Sequence, residues 1–285
     1  MLRKLGKSLG QSRLGMGVGA GEMIIVDGVS ADGARVTSML PLRDYLPGAS
    51  SPETAIWEPA VSTALAQAGK VSGTLQVSVS DDWARYWLVT PPAGLGSLAE
   101  LRALAANRFE QLFGAAAESW HIEADWHDDR AMLACALPKS LISALNEMSR
   151  QSSCTLGSVV PESVRLINGD AGSLGNDNWV CTFGTHSFLA LLRAEGKLLA
   201  ARQFRFDLLP TLPEVLARLE TEALRMGMDM PQDIFLLGDA PSLVELPDRP
   251  HLRVVPIGRQ RVLPNPIGLD RKTDAYRLAL YGAMN

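Results

Sequence analysis

The chain predicts an α/β fold that is duplicated into two lobes, with a small α+β unit inserted in the first. Three observations carry this. Each half runs through three strand-like segments, a helix and a further strand, in that order. Residues 83–152 interrupt the first half with a β-α-β-β-α pattern that has no counterpart in the second. A polar, turn-forming stretch, NGDAGSLGND, separates the halves.

Residues 14–19, 23–27 and 35–40 read as strands. Ile24-Ile25-Val26 is β-branched, and Asp27-Gly28 ends that run as a turn. PLRDYLPGASSPE is a loop by composition. Residues 59–68 read as a short helix, with Pro59 in its first turn and Gly69 at its end. Leu75, Val77 and Val79 alternate along a half-buried strand, and 83–89 follows as another. In the insert, Ser97 and Glu100 form a capping box. Leu98, Leu101, Ala105 and Leu112 then share a helical face that Gly114 stops. Residues 120–126 and 131–137 are strands joined by HDDR, and Pro138 opens a second helix with Leu141, Leu145 and Met148 on one side. Both helices are expected on one face of the small sheet, burying Leu98, Leu101, Leu112, Leu141, Leu145 and Met148.

The second half repeats the plan with strands at 179–183, 187–193 and 197–206, the last two joined at Ala194-Glu195-Gly196. Thr211 and Glu214 make a second capping box. Leu216, Leu219, Ala223 and Met226 form the buried stripe, and Gly227 the stop. Strands at 233–237 and 252–256 and a helix at 274–283 complete it. The expected organisation is a first lobe over 14–170, with the insert at 83–152, and a second lobe over 171–270. Residues 271–285 form a C-terminal helix that returns to the first lobe.

A net charge of −4 gives no global attraction for nucleic acid. No apolar run approaches the roughly 18 residues of a membrane span, and no signal peptide is expected, because the N-terminus has charges but no apolar core. MLRKLGKSLGQSRLG is basic, but its glycines and short length argue for a frayed terminus over a membrane-surface helix. Cys135, Cys154 and Cys181 are odd in number and widely spaced, as in a reduced cytosolic protein.

The stretch LGMGVGAGEMIIV poses the functional question. Gly15, Gly17 and Ala20 match a dinucleotide fingerprint, but that fingerprint requires a helix next, and a strand follows here. The glycines therefore lie in a hairpin. Backbone N–H groups in such a turn can face an anion. WHIEADWHDDRAM gathers His121, Glu123, Asp125 and His127, which reads as a solvated hairpin rather than a metal site. His186 in GTHSF stands beside Ser187, but no acid partner can be named from sequence and the nucleophile-elbow pattern is missing. Gly69-Lys70 lacks the earlier glycine and the following hydroxyl residue of a phosphate loop.

The order of elements, together with LGMGVGAGEMIIV, VSVSDDWARYWLV and VCTFGTHSFLALLRAEGKLLAARQF, resembles the actin-like (ribonuclease H-like) ATPase superfamily. More narrowly, it resembles the PilM proteins of type IV pili and the cytoplasmic part of GspL in type II secretion. That resemblance implies a nucleotide cleft between the lobes, with D-x-G at two phosphate hairpins and paired glycines on the adenosine side. This chain departs at each place. Gly17 takes the first acidic position, followed by Val18 and Gly19, with Ala20 and Gly21 in place of small hydroxyl residues. Thr182 takes the second acidic position, followed by Phe183 and Gly184, and Asp239 stands where a glycine would follow Gly238. Magnesium is held through carboxylates, waters and phosphate oxygens, so both anchors are gone. The expectation is a degenerate cleft with no catalytic residue, metal or cofactor.

The resemblance further implies a cytoplasmic scaffold, peripheral to the inner membrane. It would bind the cytoplasmic tail of a single-span assembly protein and communicate with a secretion ATPase. The alternative is an ATP-binding actin-like ATPase or small-molecule kinase, which would need a carboxylate at the positions held by Gly17 and Thr182, or a substitute for them.

Overall fold

The computed structural model describes residues 13–30, 33–42, 54–242, 251–257, 266–267 and 274–284. The basic N-terminal segment lies outside them. In chain order the first half holds β1 (Arg13–Val18), β2 (Glu22–Ser30), β3 (Gly33–Pro41), α1 (Thr54–Ala68) and β4 (Gly73–Val79). The insert holds β5 (Arg85–Val89), α2 (Leu98–Phe113), β6 (Trp120–Ala124), β7 (Met132–Pro138) and α3 (Lys139–Gln151). β8 (Cys154–Pro161) and α4 (Glu162–Asp170) follow. The second half holds β9 (Asn178–Phe183), β10 (Ser187–Ala194), β11 (Lys197–Arg205), α5 (Leu212–Arg225), β12 (Asp233–Gly238) and β13 (Arg253–Pro256). Then come β14 (Pro266–Ile267) and α6 (Asp274–Met284).

The duplication is explicit in the sheets. The first has the order β14-β3-β2-β1-β4-β8 and the second β11-β10-β9-β12-β13. In both, a three-strand antiparallel meander continues through its first strand into parallel pairs, β1 with β4 and β4 with β8, β9 with β12 and β12 with β13. Thus β1 and β9 hold matching central positions. β8 is the counterpart of β13; the sequence pattern assigns no element to it or to the start of α4, and residues 168–170, expected in the connector, close α4 instead.

Strand periodicity sorts the faces. On β9, Trp179, Cys181 and Phe183 point to the α5 side, where Leu216 and Leu219 close the core. Val180 belongs to the cluster that joins the lobes, with Leu189, Phe235 and Leu237 beside first-lobe residues such as Met16 and Val77. On β1, Leu14, Met16 and Val18 face that same cluster, so the glycines between them face the other way. That opposite side is covered by α6, whose Ala275, Tyr276, Ala279 and Leu280 pack on Ile24 and Val26.

Four expectations are corrected. α1 begins at Thr54, so Pro59 sits inside the helix rather than in its first turn. Trp57, in the added turn, packs edge-on to Trp83 at 4.8 Å and anchors this early start. The strand expected from Trp83 begins at Arg85, because residues 80–84 form a buried turn. Leu98 and Leu112 are exposed, at 46% and 48%. The buried stripe of α2 is Leu101, Ala105 and Phe109, and the Phe109 ring sits 5.3 Å from Trp87 and 5.4 Å from Trp120. Finally, the two insert helices do not share one small sheet. α2 covers the β5-β7-β6 sheet, whereas Leu141, Leu145 and Met148 of α3 join the first-lobe core with Trp57 and Val61 of α1. All three α3 residues are buried, as expected.

Truncating Leu101 or Leu145 to Ala should therefore cost about 2–5 kcal/mol in chemical denaturation. Leu98→Ala should stay within about 0.5 kcal/mol, as for an ordinary surface change. Equal losses at Leu98 and Leu101 would show that the helix face is wrongly assigned.

Candidate functional site

Most of the sequence-predicted positions stand at three strand ends that α4 and α6 connect. Gly17 and Gly19 belong to β1 and its turn, Thr182 and Gly184 to β9 and its turn, and Gly238 and Asp239 to the end of β12. Gly21 stands at the hairpin tip, with open space where a side chain would go.

The glycines of β1 serve a helix. A Cβ built on Gly17 would lie 1.8 Å from the Ala275 carbonyl oxygen and 2.6 Å from the Ala279 nitrogen. One on Gly15 would lie 1.8 Å from the Ala279 oxygen, and one on Gly19 3.2 Å from the Ala275 Cβ. The Gly15 and Gly17 contacts are helix backbone, which cannot rotate away. α6 meets the strand with its small residues Ala275, Ala279 and Ala283, four apart on one side. The Gly19 N–H donates to the Glu22 carbonyl at 2.8 Å, and its carbonyl accepts from Trp83 Nε1 at 2.8 Å.

The other two elements are also bound into the protein. The Thr182 hydroxyl is fully buried and shares a hydrogen bond with Ser163 Oγ, which donates to Asp81. The Gly184 N–H donates to the Ser187 carbonyl at 2.9 Å, with Glu162 beside it. Gly238 has φ 78°, and a Cβ there would lie 2.4 Å from the Phe183 oxygen. The Asp239 N–H donates to that same oxygen at 3.3 Å.

Arg277 of α6 joins these pieces. It is 8% exposed, with Nη1 2.9 Å from Asp239 Oδ2 and Nη2 2.9 Å from Glu162 Oε1 and 2.5 Å from Asp274 Oδ1. Glu162 is fully buried, and neither of its oxygens receives a well-aligned hydrogen bond among the described residues. Burial pushes the Glu162 carboxyl well above its usual range, and the Arg277 charge partly opposes this. Burial also works against the Arg277 charge, but Glu162, Asp274 and Asp239 outweigh it and hold the guanidinium protonated.

Sequence reasoning missed Asp81, Asp82, Glu162, Ser163 and Arg277. Two adjacent aspartates directly after an apolar strand, and one arginine inside the apolar run AYRLALYGAM, were the available signals. Asp82 also supplies the acid partner that His186 lacked, with its Oδ2 3.1 Å from the His186 Nδ1. The hairpin carrying His121 and His127 is exposed, and no metal-binding cluster occurs among the described residues. All three cysteines are free thiols, and burial raises their pKa values.

Burial pushes Asp81 from the ordinary 3.8 to about 6, against the lowering effect of its hydrogen bonds from Ser163 and Tyr86. A carboxyl raised in the folded state binds its proton there while the unfolded chain has already lost it. Its contribution is therefore complete below about pH 4 and is lost as pH rises through 6. Asp81→Asn mimics the neutral form. Between pH 4 and pH 7, the stability of that variant relative to the parent should shift in its favour by about 2.4 kcal/mol. A pH-independent difference would show that the Asp81 pKa is not raised on folding.

No protein-family model and no curated protein sequence matches the chain. Solved structures do. A PilM-PilN type IV pilus biogenesis complex aligns at TM-score 0.54 and 15% identity, over 95% of this chain and 97% of that one. A Bacteroides thetaiotaomicron protein with actin-like ATPase fold and unknown function aligns at 0.51 and 13%, over 87% and 88%. The cytoplasmic domain of EpsL, an inner membrane component of the type II secretion system of Vibrio cholerae, aligns at 0.47 and 11%, over 85% and 86%. The two alignments above 0.5 show that the fold is actin-like.

Proposed function

We propose that this actin-like chain is a non-catalytic scaffold in the assembly platform of a type IV pilus or type II-like secretion machine. In this reading it lies on the cytoplasmic side of the inner membrane. It binds the cytoplasmic tail of a single-span membrane protein and communicates with a secretion ATPase. The observation that carries the non-catalytic part is the filling of the seam. The backbone of α6 lies where a Gly17 carboxylate would have to be, and Arg277 provides the positive charge between Glu162 and Asp239. The assembly role is supported by likeness of fold to the PilM-PilN complex along nearly the whole chain. Among the described residues, no helix is long and apolar enough to cross a membrane.

The competing reading is an ATP-binding actin-like ATPase or small-molecule kinase, and thermal melting separates the two. A ligand at a hundredfold excess over its Kd stabilises a folded protein by about 2.7 kcal/mol. Millimolar Mg-ATP should leave the melting temperature unchanged, and phosphate release should stay at background. A clear upward shift that a bulky residue at Gly19 abolishes would replace the scaffold by the enzyme. The assembly role is tested by calorimetric titration with peptides spanning the cytoplasmic tails of single-span proteins encoded beside this chain. Failure of every tail to bind would remove it.

A further inference from the structure

Residues 80–84 link β4 of the first lobe to β5 of the insert, and they are buried although two of them are aspartates. A charged pair in a buried turn is costly unless its neighbours are organised around it. Here those neighbours come from every part of the molecule. From the insert, the Tyr86 hydroxyl donates to Asp81. At the head of α4, the Ser163 N–H donates to the same carboxylate at 3.2 Å, and Ser163 passes the chain on to Thr182 of β9. From β11, Gln203 Nε2 donates to the Asp81 carbonyl at 2.8 Å and Arg205 Nη2 to the Asp82 carbonyl at 3.3 Å. On the first-lobe side, Trp83 Nε1 holds the β1–β2 turn through the Gly19 carbonyl.

We infer that this turn is a mechanical junction that couples the position of the insert to the closure of the two lobes. The link is short, so the insert cannot swing on it without moving Asp81. Asp81 cannot move without releasing Ser163 and Gln203, which belong to α4 and the second sheet. Because a buried polar group left without its partner is heavily penalised, these bonds hold or fail together. A partner that displaces the insert would thereby loosen the lobe seam, and a partner that opens the seam would free the insert. This goes beyond the assembly role and does not depend on it.

Amide hydrogen exchange tests the coupling in both directions on the full chain. Tyr86→Phe removes only the insert-side hydroxyl. It should speed exchange at Ser163 and in α4 at least about fivefold, while β7 and α2 keep parental rates. Gln203→Met removes only the β11 donor and should speed exchange in β5 by a similar factor. Effects of Tyr86→Phe confined to 85–138, or effects of Gln203→Met confined to the second lobe, would overturn the inference. So would a uniform rise along the chain in both variants. If Tyr86→Phe lowers the melting temperature too far for exchange to be read, the half-buried Gln203 still gives the reverse direction.

Discussion

Replacing Gly17 by Asp is expected to detach the C-terminal helix, not to build a metal ligand. Any side chain at this position starts with a Cβ 1.8 Å from the Ala275 oxygen and 2.8 Å from the Ala275 carbonyl carbon. Those atoms belong to helix backbone, so relief requires α6 to shift bodily away from β1. The helix buries Tyr276, Leu278 and Leu280 completely or nearly so. Each such side chain is worth about 1.5–3 kcal/mol when buried. The expected loss in chemical denaturation exceeds about 4 kcal/mol, in the range reserved for severe steric conflicts in a core. Gly17→Ala should share the direction. Gly21→Ala, at the open hairpin tip, should stay within about 0.5 kcal/mol. Neither Gly17 variant should acquire Mg-ATP binding. If Gly17→Ala fell within 1 kcal/mol of the parent, roughly the scale of an ordinary mutation, the close packing of α6 on β1 would be refuted.

That pair of glycines also shows what was legible and what was not. The alternation of Leu14, Met16 and Val18 with Gly15 and Gly17 was plain in the sequence, and it correctly marked a strand with two unlike faces. A missing Cβ, however, only says that something approaches closely. A phosphate and a helix backbone leave the same trace in the strand. The deciding trace lay some 260 residues away, in Ala275, Ala279 and Ala283 at helical spacing. Strong periodicity likewise gave the meanders and α5, because their burial is set by neighbours in sequence. β8 escaped because Cys154–Pro161 contains Gly157 and ends in proline, and because its burial is irregular rather than alternating. Gly157 is again a matter of fit, since its Cβ would lie 2.5 Å from Gln76 on β4. The α2 face was misplaced at both ends, where Leu98 and Leu112 lie three residues outside the Leu101–Ala105–Phe109 stripe and turn toward solvent. The polar seam was invisible for a different reason. Asp81, Ser163 and Thr182 are each ordinary locally, and their meaning lies in being brought together.

Arg277→Met is expected to cost about 3–5 kcal/mol at neutral pH, the range for breaking a buried ion pair from one side. Methionine keeps most of the packing volume, so the loss measures the charge. It leaves Glu162 buried, without a well-aligned donor and without its counter-ion 2.9 Å away. With the guanidinium gone, the upward push of burial on Glu162 is unopposed by its main attractive partner. The folded variant must then hold a proton that the unfolded chain releases just above the ordinary Glu range. Its deficit should therefore grow as pH rises from about 4.5 toward 8 and shrink on acidification. Glu162→Gln added to Arg277→Met removes the most deeply buried of the three stranded charges and should recover a large part of the loss. The double-mutant cycle should return a coupling of at least about 2 kcal/mol. A loss that is the same at pH 5 and pH 8, and that Glu162→Gln does not relieve, would mean that Arg277 acts as a packing spacer. The seam would then not be held together by the charge that α6 carries into it.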